Sequence, residues 1–245
     1  MNQIFNLSKT EFTAYLECPL KFYLMKQQNQ FTKEGPRGLR SYLHYPFAAS
    51  KGIYWHYELN KFLQEHKQDF LNCAPPPPIT ISEPIFKLFW EHEEHRLAVD
   101  PSNWYPLAFE LYCSSQTTRG IIDRVEAIDD QSCRIVEYKS DASKSGFLTE
   151  ELLFYSFMAT VSKDFSAKIK RKVTQAGCYF YSTGDWTTQE ISRDDLLSFR
   201  DYFAEVRKEM LTGNWAPRHD CSLLHQDCSY AVVCTKIPEK LLKDL

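Results

Sequence analysis

The sequence predicts an α/β domain built on a mixed central β-sheet flanked by helices. From Tyr105 onward the apolar residues change from helical spacing to alternation. Leu107–Cys113, Gly120–Ile128 and Cys133–Lys139 then read as three consecutive strands. Helical patterns lie on both sides of this block. With 245 residues, 43% of them hydrophobic and 25% charged, the chain is long enough to bury a sizeable core.

Taken in order, Ser8-Lys9-Thr10-Glu11 is a Ser-x-x-Glu capping box, and Phe12, Tyr15, Leu16, Leu20, Tyr23 and Leu24 follow at helical spacing. Cys18-Pro19 breaks that run, because proline disfavours helical backbone in the residue before it. Residues 29–47 read as a loop around Gly35-Pro36 and Gly38, and a second helix is expected from Ser50 to Phe70. Pro75–Pro78 is a stiff connector dividing a helical N-terminal part, residues 1–74, from a sheet core, residues 79–191. Asp129-Asp130-Gln131-Ser132 turns the second strand into the third, and a helix is expected over 149–161. Gly177–Tyr181 and Trp186–Ile191 read as further strands about a turn at Gly184-Asp185, and Ser192 caps a helix running to Leu211. Residues 192–245, this helix and a cysteine-containing tail, complete a single domain spanning 1–245.

Net charge is −3, so binding to a polyanion needs a local basic surface and not a global field. The densest candidate is the run Lys168, Lys170, Arg171 and Lys172, which could neutralise phosphates or simply be a solvated face. No stretch of 18 apolar residues exists and no secretion signal opens the chain, so a cytoplasmic protein without a membrane span is expected. In that compartment eight cysteines point to metal binding more than to disulfides.

Alternation along the third strand puts Glu137 and Lys139 on one face, and Asp123 on the preceding strand can face them. Two carboxylates suit Mg²⁺ or Mn²⁺, hard cations that keep water ligands. Such an ion polarises a phosphodiester and acidifies a bound water, and a lysine beside it can assist the nucleophile. The same residues also fit a solvated hairpin with cross-strand ion pairing. Cys221, Cys228 and Cys234 in the tail, with the distant Cys18, offer four thiolates for an iron–sulfur cluster or zinc.

Gly120-Ile121-Ile122-Asp123-Arg124 with Ile135-Val136-Glu137-Tyr138-Lys139 resembles the core of the PD-(D/E)XK nuclease superfamily, RecB-like branch, which implies a restriction-endonuclease-like fold. Gly52-Ile53-Tyr54-Trp55-His56 is similar to that branch's upstream helix motif, so the resemblance implies His56 as a metal ligand beside Asp123, Glu137 and the Tyr138 carbonyl. It also implies an acidic role for Glu110 on the first core strand. Glu151 and Tyr155 match the Gln-x-x-x-Tyr motif of the following helix, with Glu in place of Gln. The opening around Tyr15, Cys18 and Pro19, with the three tail cysteines, resembles the CRISPR-associated RecB-like exonucleases. That resemblance implies a 4Fe-4S cluster on Cys18, Cys221, Cys228 and Cys234. It further implies metal-dependent trimming of single-stranded DNA ends and partnership with the CRISPR integrase during spacer acquisition. Two alternatives stay open: a non-catalytic DNA-binding or adaptor subunit with this fold, and a RecB-like nuclease of repair or of a mobile element.

Overall fold

The computed structural model describes residues 6–34, 47–141, 147–213 and 215; residues 27–34 and 47–53 are described by their backbone alone. Among these, five strands form one mixed sheet in the order β1-β2-β3-β4-β5. The strands are β1 Ala108–Ser114, β2 Arg119–Ala127, β3 Ser132–Lys139, β4 Lys172–Phe180 and β5 Asp185–Glu190. All neighbours are antiparallel except β3 and β4, which run parallel. The parallel pair needs a crossover, and α7 Leu148–Val161 with α8 Lys163–Ile169 supplies it. The remaining helices are α1 Lys9–Glu17, α2 Pro19–Glu34, α3 Phe47–Glu65, α4 Lys67–Leu71, α5 Ile79–Ser82, α6 Pro84–Val99 and α9 Arg193–Leu211.

The sheet divides the interior into two cores. On one face Ile122, Val125, Cys133 and Ile135 pack with α1, α7 and α9. On the other, Val136, Tyr138 and Tyr179 pack with Leu59, Phe62 and Leu63 of α3 and with Phe86, Phe89 and Trp90 of α6. α9 shows how sequence spacing becomes packing. Phe199, Phe203, Val206 and Met210 recur along one stripe and are its buried residues. Phe199 and Phe203 lie 5.7 and 5.3 Å from the ring of Phe12 in α1. Truncating Phe203 to Ala would cost about 3–5 kcal/mol, the usual loss for a fully packed ring.

Most expected elements are present. The capping box on Ser8 and Glu11 is formed, and α1 stops at Glu17 with Cys18 extended before Pro19. β4 and β5 turn at Gly184, whose φ of 76° is left-handed backbone that glycine adopts without strain. At Gly177 a side chain would collide with the Trp186 ring, since a Cβ there would sit 2.8 Å from it.

Three expectations need correction. The loop expected over 29–47 starts later, because α2 continues to Glu34 and α3 already begins at Phe47. The sheet core does not begin at residue 79: residues 79–99 hold two helices, α5 and α6, and the first strand starts at Ala108. Pro84 opens α6 at its first turn, where a missing N–H costs nothing, and Phe86, Phe89 and Trp90 form its buried stripe. The helix expected from Ser50 to Phe70 is interrupted at His66, which separates α3 from α4.

Candidate active site

The N-terminus of α1 is pinned before it reaches the site. Leu7 forms a parallel bridge to Thr118, with Leu7 N donating to Thr117 O at 3.0 Å and Arg119 N donating to Leu7 O at 2.9 Å. Glu11 then accepts from Arg119 at 3.0 Å and also holds Lys26. These contacts tie the first turn of α1 to the β1–β2 connection and aim Lys9 across the sheet.

The β2–β3 ladder runs from Ala127↔Cys133 to Arg124↔Val136. Just past that point Tyr138 N donates to Asp123 Oδ2 at 2.9 Å. A side chain thus replaces the main-chain partner, and the ladder opens where the carboxylates lie. His56 of α3 reaches into this opening, with its Nδ1 3.3 Å from Asp123 Oδ2. Asn60, one turn further along the same helix, donates to the Asp123 carbonyl at 3.5 Å. His56 is on a helix of the opposite core, so the gap joins the two layers.

Glu137 is 5% exposed. Its Oε1 accepts from Lys9 Nζ at 3.0 Å, and its Oε2 is buried with no hydrogen-bond partner among the described residues. Glu151 of α7 bridges two lysines through Oε2, to Lys139 Nζ at 2.5 Å and Lys9 Nζ at 3.5 Å. Tyr155 lies one turn on, buried, with Lys9 5.7 Å from its ring centre. Asp123, Glu137, Lys139, Glu151 and Tyr155 are therefore gathered into one cluster, with His56 at its edge.

Electrostatics separate the two central carboxylates. Burial pushes Asp123 up, but His56, the Tyr138 N–H and Lys9 outweigh it and hold its acidity below the ordinary value. Burial pushes Glu137 up, and the neighbouring Asp123 charge adds to this against the pull of Lys9, so it lies above the ordinary value. Burial alone would lower His56 and Lys9, but Asp123 raises the first and Glu137 the second.

Two carboxylates and an imidazole are oxygen and nitrogen donors suited to a divalent ion. The orphaned Glu137 Oε2 is the observation that fits one, since a buried carboxylate oxygen without a partner is costly. The cage is not preformed: among the described residues no three His, Cys, Asp or Glu side chains converge as ligands. Side-chain nitrogens of Lys9 and His56 hold the carboxylates instead.

The chain matches the family model of the PD-(D/E)XK nuclease superfamily over residues 6–235. It belongs to that superfamily. No curated protein sequence matches it. Superfamily members act on nucleic acid, and their phosphodiester chemistry uses divalent metal ions. Among the described residues no helix is long and apolar enough to cross a membrane.

Other expected site residues lie elsewhere. The Tyr138 side chain points into the second core, where its hydroxyl accepts from Arg124 at 3.3 Å, so only its main chain borders the carboxylates. Glu110 is exposed. Its neighbours pair as Phe109↔Arg124 and Leu111↔Ile122, but its φ of 44° takes it out of the regular ladder opposite Asp123. Lys172 pairs with Ser132 and Lys139 pairs with Phe180. Seven residue steps along β3 therefore separate the basic run from Lys139, about 23 Å at strand rise. Lys168, Lys170 and Lys172 are exposed there, and Arg171 lies 3.9 Å from Asp130.

Cys18 is a buried free thiol at the end of α1. Cys221, Cys228 and Cys234 lie outside the described residues. Trp215, six positions before Cys221, packs against Tyr15, Phe22 and Tyr23 at 6.4, 5.7 and 5.7 Å. Cys113, Cys133 and Cys178 are buried, and burial pushes their thiols up to about 11, 12 and 12. Thiols so placed are inert packing groups.

Sequence reasoning overlooked Lys9 and Asn60. Lys9 did leave one signal. A lysine in the first turn of a helix opposes the helix macrodipole, and that local cost marks a residue held for a tertiary purpose.

Proposed function

We propose that this protein is a metal-dependent deoxyribonuclease that hydrolyses phosphodiester bonds at DNA ends, acting in the cytoplasm on single strands. One observation carries the reading. In a superfamily chain, the opened end of the β2–β3 hairpin gathers Asp123 and Glu137 beside Lys139 and leaves Glu137 Oε2 buried without a hydrogen-bond partner among the described residues. Asp123, Glu137 and His56 would hold Mg²⁺ or Mn²⁺ with the Tyr138 carbonyl. The ion would supply Lewis-acid polarisation and an acidified water. Lys139 would assist the nucleophile, with Glu151 fixing its ammonium. Tyr155 would pack against the buried side of the cluster.

The test is release of nucleotides from end-labelled single-stranded DNA with and without Mg²⁺ or Mn²⁺. Lys139→Ala should lose at least about a thousandfold in rate while still binding DNA, as when a group stabilising transition-state charge is removed. Undiminished cleavage by that variant excludes the assigned role. A purified chain that binds DNA but never cleaves it favours the adaptor reading.

A 4Fe-4S cluster on Cys18, Cys221, Cys228 and Cys234 is part of the proposal. Its structural support is the packing of Trp215 against the aromatic residues that flank Cys18. Protein purified without air should be brown, with broad absorbance at about 400 nm from sulfur-to-iron charge transfer, whereas zinc on the same thiolates leaves it colourless. With the cluster goes a role in CRISPR spacer acquisition alongside the integrase. Failure to form a complex with a CRISPR integrase would favour the repair or mobile-element alternative.

A further inference from the structure

Lys9 is set where an incoming metal ion has to compete with it. Its side chain is 19% exposed, and its ammonium touches Glu137 Oε1 at 3.0 Å and Glu151 Oε2 at 3.5 Å. The Leu7 bridge and the Arg119–Glu11 pair hold the backbone beneath it, so the ammonium is aimed by the fold and not by chance. The other oxygen of Glu137 is buried and has no hydrogen-bond partner among the described residues, which leaves one carboxylate half neutralised by a lysine and half unsatisfied there. A metal ion approaching a carboxylate in that state would meet a resident competitor.

We propose that Lys9 is a built-in counter-cation: it holds Glu137 in the metal-free protein and leaves it for Glu151 when a divalent ion enters. The inference rests on the metal-dependent reading above and deepens it. Glu151 is the acceptor already in place. It sits between Lys9 and Lys139, and a carboxylate there can take both ammoniums where a neutral amide could not. This accounts for Glu at the position where the motif has Gln. Lys9 is thus a positioning residue that acts through Glu137 and Glu151.

The direct measurement is Mn²⁺ binding to the full chain, followed by the loss of the free-ion electron paramagnetic resonance signal, with no substrate present. Lys9→Met should bind Mn²⁺ roughly tenfold more tightly or better, the low end of what a charged hydrogen bond to the competing group is worth. Lys9→Arg keeps the competitor and should bind as wild type does. Lys139→Met removes the same charge without freeing Glu137 and should shift affinity less than Lys9→Met. The metal-free Lys9→Met protein should melt at lower temperature than wild type and recover when Mn²⁺ is added. A variant folded only with Mn²⁺ supports the inference in the same way, and Lys9→Gln, which keeps a hydrogen-bond donor, serves for the affinity measurement. Unchanged or weaker binding in Lys9→Met and Lys9→Gln overturns the inference while wild-type binding leaves the nuclease reading intact. Equal gains for Lys9→Met and Lys139→Met also overturn it, because general charge removal then explains both. Absence of Mn²⁺ binding in every protein overturns both readings together.

Discussion

Asp123 and Arg124 are adjacent residues that project into opposite cores, and the two charge clusters they enter are built on opposite terms. Arg124 is 1% exposed. It pairs with Glu93 at 2.7 and 3.0 Å, and its Nε lies 2.9 Å from Glu126 Oε1, an ion pair without hydrogen-bond alignment. Arg96 joins the same two glutamates at 2.8 and 3.0 Å, and Trp104 Nε1 donates to Glu93 at 3.1 Å. Every carboxylate oxygen there faces a cation. Around Asp123 three carboxylates meet two ammoniums and a histidine, and Glu137 Oε2 has no hydrogen-bond partner or cation among the described residues. The first cluster resembles a structural lock, since breaking a buried ion pair strands a charge. The second keeps an open valence, as a site for chemistry must. Buried charge alone does not distinguish structure from function; a carboxylate oxygen that faces no cation does, since even the unaligned Glu126 Oε1 lies against two guanidinium groups.

The comparison can be broken most forcefully on the open side. Asp123→Asn should lower metal-dependent cleavage by at least about a thousandfold, on the scale of losing a group that acts on the reacting centre, with a circular-dichroism spectrum like that of wild type. Cleavage within tenfold of wild type would mean that the orphaned oxygen marks no active site. On the closed side, Arg124→Met should cost about 3–5 kcal/mol of stability by leaving Glu93 and Glu126 buried without their main cation, read as a lowered urea midpoint. An unchanged midpoint would show that Arg96 suffices to hold both glutamates.

A smaller effect sharpens the role of the clamp that aims Lys9. Burial pushes Glu11 up, but Lys26, the Ser8 N–H and Arg119 outweigh it and hold the carboxyl below its ordinary 4.5. The folded value lies below the unfolded one. The stabilisation is therefore complete above about pH 4.5 and is lost as pH falls through the lowered folded value. Glu11→Gln should cost about 1 kcal/mol at neutral pH, as for loss of a capping box, and the gap to wild type should close in acid. A gap that stays constant to pH 3 would assign the loss to packing. The smallest effect is expected at the far end of the sheet. Replacing Lys170, Arg171 and Lys172 by Ala should leave turnover of short oligonucleotides unchanged. It should reduce the salt dependence of binding to longer DNA by up to about three units of slope, since each phosphate contact contributes about one. Loss of turnover on short substrates would place the run nearer the chemistry than its position on the sheet allows.

Strands were legible because a side-chain period of two survives in any context, and α1 and α9 because their capping boxes are local. The helices over 79–99 were not, because the proline run ahead of them and the short α5 carry little helical signal, and α6 is held in place by tertiary contacts, Phe86, Phe89 and Trp90 in the second core and Glu93 against Arg124. Glu110 reads as an ordinary strand residue until its left-handed backbone is seen.

By itself the sequence determined that Glu137 and Lys139 share a strand face with Tyr138 on the other, and that Asp123 and Arg124 point opposite ways. It also determined the superfamily, through motifs at those strands. Tertiary structure alone decided that Lys9, 128 positions from Glu137, occupies one of its oxygens, that His56 crosses from the opposite layer to Asp123, and that the other Glu137 oxygen meets no hydrogen-bond partner among the described residues. The physical reason is range. Backbone periodicity is set by the nearest few residues, whereas the satisfaction of a buried charge depends on every group that packing brings to it, wherever that group lies in the chain.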